Sequence, residues 1–167
     1  METVHIHLIV SHVPIFTLIT GILVLLYAII RKSEYLDPLA MILFIASGLA
    51  AVVAYQTGEP AEHAVEGLAG VSHSVIESHE EIAEWAMIAT GLLGLLSIAA
   101  WAISNYWPNY RRVLMIGMLV LALVPTVLVG ITANRGGKVR HAEIRSSVEN
   151  ASFDQDHEEV GEEEHDD

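Results

Sequence analysis

Four long apolar runs constrain this chain more than any other feature of its sequence. They cover residues 8–30, 39–55, 82–104 and 113–133, and each is bounded by glycine, proline or charged residues. A helix needs about 20 apolar residues to cross the hydrocarbon core of a bilayer. Only helices and closed barrels satisfy their backbone polar groups inside lipid. The runs therefore predict an all-α integral membrane protein, a four-helix up-and-down transmembrane bundle surrounded by the lipid bilayer.

Composition agrees with this class and excludes several others. Apolar residues make up 53% of the chain, charged residues 17%, and the formal net charge is −13. An acidic chain repels the phosphates of nucleic acid, so we expect no nucleic-acid partner. The chain has no cysteine, which excludes disulfides, thiolate metal sites, iron–sulfur clusters and thioether-linked haem. Any bound metal or cofactor must use other ligands.

The chain divides into a membrane domain, residues 1–145, and a tail, residues 146–167. The tail is rich in Asp and Glu and has almost no apolar side chains, which predicts a disordered segment. Between the second and third runs, residues 56–81 contain apolar side chains at helical spacing after Pro60. This spacing predicts a short amphipathic helix that lies on the membrane surface.

Basic residues predict the orientation of the bundle. Arg31, Lys32, Arg111 and Arg112 occupy the two short loops that share one side, whereas the N-terminal stretch and residues 56–81 contain no Lys or Arg. The positive-inside rule places the basic side in the cytoplasm. We therefore expect a multi-pass protein of the bacterial inner membrane with both termini on the periplasmic side.

Every histidine of the chain falls on this predicted outer side. The nine are His5, His7, His12, His63, His73, His79, His141, His157 and His165. His12 is the deepest of them in an apolar run, and His79 comes three residues before the third run. Because the first and third helices of an up-and-down bundle are diagonal, we expect His12 and His79 to face each other near the outer surface.

Two facing imidazoles are a suitable axial ligand pair for haem b. We therefore predict a haem b, or another metal centre, bound by His12 and His79. A second haem could take His7 or His5 on one side of the iron and His63, His73 or His141 on the other. The sequence assembles no nucleophile, base and orienting group, so an electron-transfer subunit is a better expectation than an independent enzyme.

The segments around these histidines resemble a known family. They are residues 5–15 (HIHLIVSHVPI), the Thr-Gly element at 57–63 (TGEPAEH) and the Gly-Gly element at 136–141 (GGKVRH). All three are similar to elements of a widespread bacterial family of four-helix membrane proteins of unknown function. The resemblance covers about residues 4–145 and leaves out the acidic tail.

The resemblance implies a redox function, because members of that family also occur fused to c-type cytochrome or Rieske modules. By this match His12 is the second motif histidine, His7 or His5 is the first, and His141 stands where many members have an aromatic residue. The resemblance suggests a b-type haem. We expect electron transfer between a membrane or quinone partner and an outer carrier such as a c-type cytochrome, within a larger membrane redox complex.

Two other functions would account for the same histidines. Imidazoles with carboxylates nearby suit Zn²⁺, Cu²⁺ or Ni²⁺, so the protein could bind or transport a metal ion at its outer face. The chain could also be a non-catalytic structural subunit whose histidines contact another protein. Each histidine has an ordinary interpretation as well, as a hydrogen-bonded or interfacial side chain.

Overall fold

The computed structural model describes residues 2–65 and 73–140, and helices make up its regular structure there. In chain order the helices are α1 (Glu2–Arg31), α2 (Asp37–Val65), α3 (His73–Tyr106), a 3₁₀ turn (Pro108–Tyr110), α4 (Arg111–Leu121) and α5 (Leu123–Arg140). Four stretches are long and apolar enough to cross a membrane, and the fourth combines the 3₁₀ turn, α4 and most of α5. This confirms the prediction of an all-helical chain with four candidate membrane spans.

Helix α2 is longer than the sequence analysis predicts. It passes through Pro60 and ends at Val65, and α3 begins at His73. Pro60 lacks the N–H that would bond the carbonyl of Gln56, and because Gln56 is exposed, water can replace that donor. Of the segment expected to form a separate surface helix, residues 56–65 belong to α2 and residues 73–81 to α3. Residues 66–72 lie outside the described part.

Pro125 divides the fourth span, as expected for a proline inside an apolar helix. Helix α4 ends at Leu121 and α5 begins two residues later, because the proline ring removes a backbone donor and crowds the carbonyl of Leu121. Polar contacts bridge the break: the N–H of Ala122 bonds the carbonyl of Met118 at 2.9 Å, and the hydroxyl of Thr126 donates to the carbonyl of Ala122 at 2.7 Å. The span continues across the kink.

The middle of the bundle is filled by large apolar side chains. Phe44, Leu18, Leu25, Met41 and Leu93 are the largest apolar members of the fully buried set. Side chains on the outside of the bundle are apolar too, with Ile9, Phe16 and Val113 at 71%, 66% and 71% exposure. An apolar exterior is what a chain surrounded by lipid requires.

Small residues bring α2 and α3 into close contact. A Cβ added at Gly48 would lie 3.0 Å from the carbonyl oxygen of Thr90, and one at Gly94 would lie 3.3 Å from that of Phe44. Such small-residue contacts let membrane helices approach each other at backbone distance. Ser47 adds a buried hydrogen bond from α2 to the carbonyl of Pro14 in α1, at 2.8 Å.

Helix packing follows chain order, and the two ends of the bundle differ in chemistry. The most extensive packing is between α1 and α2, followed by α2 with α3 and then α3 with α5, so α1 and α3 lie diagonally. The histidine end, which carries His7 and His79, contains the start of α1 and the end of α5. The basic end, which carries Lys32, Arg111 and Arg112, contains the α1–α2 connection and the start of α4.

Candidate functional site

His7 is half-buried at the histidine end, where it lies against α2. Its Nδ1 is 3.2 Å from Oγ1 of Thr57. A Cβ added at Gly58 would lie 3.5 Å from Cε1 of His7. The Thr-Gly element of α2 therefore contacts the imidazole with a hydroxyl and with bare backbone.

The hydrogen bonds around Thr57 allow the tautomer of His7 to be assigned. The hydroxyl of Thr57 donates its proton to the carbonyl of Ala54 at 2.9 Å, so toward His7 it acts as the acceptor. On this basis we assign the His7 proton to Nδ1, which then donates to Thr57. Neutral imidazole has a lone pair on its other nitrogen, so Nε2 of His7 is the nitrogen that can bind a ligand.

His79 occupies the matching position on α3. It is half-buried, and its Nδ1 lies 3.1 Å from the carbonyl oxygen of Thr132 in α5. A carbonyl only accepts, so we assign the proton of neutral His79 to Nδ1 and the lone pair to Nε2. A Cβ added at Gly136 would lie 3.1 Å from Cε1 of His79. This close approach explains why a glycine occupies position 136.

An arginine fixes α5 to α3 beside this second imidazole. Nη1 of Arg135 donates to the carbonyl of Ser78 at 2.7 Å. Ser78 precedes His79 in α3, and Arg135 precedes Gly136 in α5. The hydrogen bond therefore sets the distance between the two helices at the level of the imidazole.

The two half-buried imidazoles share one arrangement. They come from the diagonal helices α1 and α3 and lie at the same end of the bundle. Each donates Nδ1–H to a neighbouring helix, and neither Nε2 has a hydrogen-bond partner among the described residues. Histidines that bind metals are oriented in this way, with the second ring nitrogen bonded to a protein group. The pair can therefore supply two metal ligands.

His12 is not part of this arrangement. Its ring is exposed on α1 and stacks on Phe16, with ring centroids 6.4 Å apart. Its Nδ1 lies against the carbonyl of Leu8, in the same helix. The structure therefore places His7 and His79, rather than His12, as the half-buried histidines of the histidine end, and His12 makes no contact with His79 among the described residues.

Helix geometry explains the difference between the two α1 histidines. They are five residues apart, which rotates them by about 140° around the helix axis at 3.6 residues per turn. His7 shares a face with Pro14, Leu18 and Leu25, at spacings of seven, eleven and eighteen residues, and these three are buried. The small residues Gly21 and Ala28 on the face of His7 indicate the side of α1 that packs against other helices, whereas depth in the apolar run favoured His12.

The other predicted ligands lie elsewhere or outside the described residues. His5 and His63 are exposed, His73 is the first residue of α3, and His141 follows the last described residue. Within residues 2–65 and 73–140, no group of three or more His, Asp or Glu side chains comes together that could hold a metal ion.

The Thr-Gly and Gly-Gly elements acquire a role that the sequence analysis did not assign to them. Thr57 and Gly58 contact His7, and Gly136 contacts His79. Both elements therefore hold an imidazole. Thr132, the acceptor for His79, lies within the fourth apolar run and carries no distinguishing pattern in the sequence.

The donor set fits a haem iron, which takes two axial ligands from the protein. The Nε2 atoms of His7 and His79 would provide these ligands, and the glycine at position 136 removes a Cβ that would lie 3.1 Å from Cε1 of His79. Phe44 and Leu93 fill the bundle further in, so the available position is the histidine end. The chain matches no protein-family model, no curated protein and no solved structure.

Proposed function

We propose that this protein is a membrane b-type cytochrome whose haem is held by His7 and His79. The observation that carries the proposal is the pair of half-buried imidazoles on diagonal helices, each with Nδ1 engaged and Nε2 available. Two imidazoles are sufficient to ligate the iron of a b-type haem. Bound haem supplies reversible one-electron transfer, and the protein supplies orientation and burial.

The neighbouring residues support this use of the two imidazoles. Thr57 and the carbonyl of Thr132 accept Nδ1–H, which holds each ring and makes its Nε2 a stronger donor to a metal. Gly136 lets the ring of His79 lie directly against α5, where an added Cβ would come within 3.1 Å of Cε1. These contacts restrain each ring before any ligand binds, so little side-chain entropy is lost on ligation.

The electron partners follow from the predicted orientation. If the basic end faces the cytoplasm by the positive-inside rule, the histidine end faces the periplasm of a bacterial inner membrane. Electrons would then pass between a membrane or quinone partner and an outer carrier, within a larger redox complex. Glu59, Glu80 and Glu84 are exposed at this end, and their charge favours a cationic carrier such as a c-type cytochrome. The proposal includes membership of the four-helix family that residues 5–15 resemble.

A metal-ion protein is the second candidate, favoured by the same two imidazoles. Zn²⁺ takes three or four protein ligands, and Cu²⁺ and Ni²⁺ also bind imidazole well. His7 and His79 supply two ligands.

The deciding experiment is the reduced-minus-oxidised absorption spectrum of the full chain, purified in detergent after expression with ample haem. A pyridine haemochrome assay then counts haem per chain. We expect a sharp b-type α-band and a single haem. A protein without a Soret band would contradict the cytochrome proposal, and copurified zinc, copper or nickel would then favour the second candidate.

Histidine variants test which imidazoles bind the iron. His7→Ala and His79→Ala should each abolish the low-spin spectrum, because each removes one axial ligand. His12→Ala is the matched control, since the same residue type on the exposed side of α1 should leave the spectrum unchanged. Loss of haem in His12→Ala with retention in His7→Ala would instead support the pairing expected from the sequence alone.

A further inference from the structure

The basic end contains a cavity of about 280 Å³ between the α1–α2 connection, the 3₁₀ turn and the start of α4. Its lining includes the polar residues Lys32, Asn109 and Arg112 and the apolar residues Ala28, Ile29 and Met115. Small-molecule sites in proteins measure about 300–1,000 Å³. The cavity is therefore sized for a small polar group rather than for a whole lipid.

The charges around the cavity do not cancel. Arg111 pairs with Asp37 at 2.7 Å and with Glu34 at 3.5 Å, and it also donates to the backbone carbonyl of Glu34. Both carboxylates of the lining are therefore used by one guanidinium. Lys32 and Arg112 form no ion pair with any described residue. The cavity is left with two unpaired cations.

The backbone at Lys32 is a second, independent observation. Lys32 has φ of 53°, in the left-handed region, at the end of α1, where the N–H of Ser33 bonds the carbonyl of Ala28 at 2.9 Å. This is the Schellman geometry, in which the left-handed residue is usually glycine. A lysine there is strained by its Cβ, and strained non-glycine residues cluster at binding sites. The position suggests that the side chain is kept for its charge.

We propose that this cavity binds the phosphate headgroup of an anionic phospholipid. Lys32 and Arg112 would contact the phosphate, and Ile29 and Met115 would pack against the glycerol and the first acyl carbons. The cavity lies where three candidate spans end, which is the depth of lipid headgroups. Basic pockets between membrane helices bind anionic headgroups elsewhere. Free phosphate is also an anion, but it has no carbon atoms that could pack against the apolar residues of the lining.

The experiment uses the full chain in detergent after removal of bound lipid. Short-chain phosphatidylglycerol is titrated against the thermal unfolding midpoint, with short-chain phosphatidylcholine and inorganic phosphate as comparison probes. We expect a saturable rise in the midpoint with phosphatidylglycerol and a much weaker response to the other two. An equal response to inorganic phosphate would overturn the assignment to a lipid.

Three variants locate the site. Lys32→Gly removes one cation and also relieves the left-handed strain, so weaker binding cannot be attributed to a less stable fold. Arg112→Gln removes the other cation. Each change should weaken phosphatidylglycerol binding about fivefold. Arg31→Gln is the control, because Arg31 is exposed beside the cavity without lining it. Wild-type affinity in both Lys32→Gly and Arg112→Gln would refute the site.

Discussion

The two ends of the bundle use their polar groups in opposite ways. At the basic end the guanidinium of Arg111 is 19% exposed and bonds Asp37 and Glu34, which uses both carboxylates. At the histidine end His7 and His79 each use one ring nitrogen to join a neighbouring helix, and the second has no partner among the described residues. A completed network stabilises the contact between helices, whereas an unused lone pair is available to a ligand.

The fourth span makes polar contacts at both ends of the bundle. It packs mainly on α3 and much less on α1. Arg111 joins its first turn to the α1–α2 connection, and Arg135 joins its last turns to α3 at 2.7 Å. Polar contacts at both ends therefore add to the modest apolar packing of this span. At the histidine end the same span also supplies the acceptor for His79.

The largest expected effect on stability comes from breaking the network at the basic end. Asp37→Ala removes the closest carboxylate of a mostly buried guanidinium, and we expect a loss of about 3 kcal/mol in the free energy of unfolding. Glu34→Gln, at a carboxylate side chain that is 75% exposed, should cost less than about 1 kcal/mol. Denaturant unfolding in detergent measures both. Equal losses in the two variants would show that the Arg111–Asp37 pair contributes no more to stability than the exposed pair with Glu34.

Removing the acceptor for His7 should affect the opposite end. Thr57→Val keeps the shape of the side chain but leaves Nδ1–H of His7 without its hydroxyl partner. Loss of such a partner typically weakens metal binding by about 10–100-fold, so haem titration into the apoprotein should show a drop of this size. Thr20→Val, on the exposed side of α1, is the matched control. Unchanged haem affinity in Thr57→Val would show that the Thr57 hydroxyl does not contribute to haem binding.

The smallest expected effect comes from the glycine beside His79. In Gly136→Ala the new Cβ would lie 3.1 Å from Cε1 of His79, so the ring must move by a few tenths of an ångström. We expect about fivefold weaker haem binding, equivalent to about 1 kcal/mol of overpacking. Gly137→Ala, whose Cβ would meet no atom within 4 Å, should bind as the wild type does. Identical behaviour of the two variants would contradict the close contact.

Apolar run lengths were sufficient to predict the spans, but not where every helix ends. The four predicted spans correspond to four helical stretches, and the kink near Pro125 follows from a missing backbone donor. Pro60 did not end α2, because the carbonyl of Gln56 that it leaves without a donor belongs to an exposed residue and can bond water. Local sequence predicts a break at both prolines, and only the surroundings of each decide whether it forms.

The sequence by itself determined the all-helical class of this protein, the number of candidate spans and the gathering of the described histidines at one end. Partition into a bilayer depends on the composition of segments of about 20 residues, which is a local property. The tertiary structure decided which histidines meet. A helix turns by about 100° per residue, so the direction of His7 or His12 depends on how α1 is rotated against Phe44 and the other buried side chains. That rotation is set by packing between helices, which depends on residues from several segments of the chain at once.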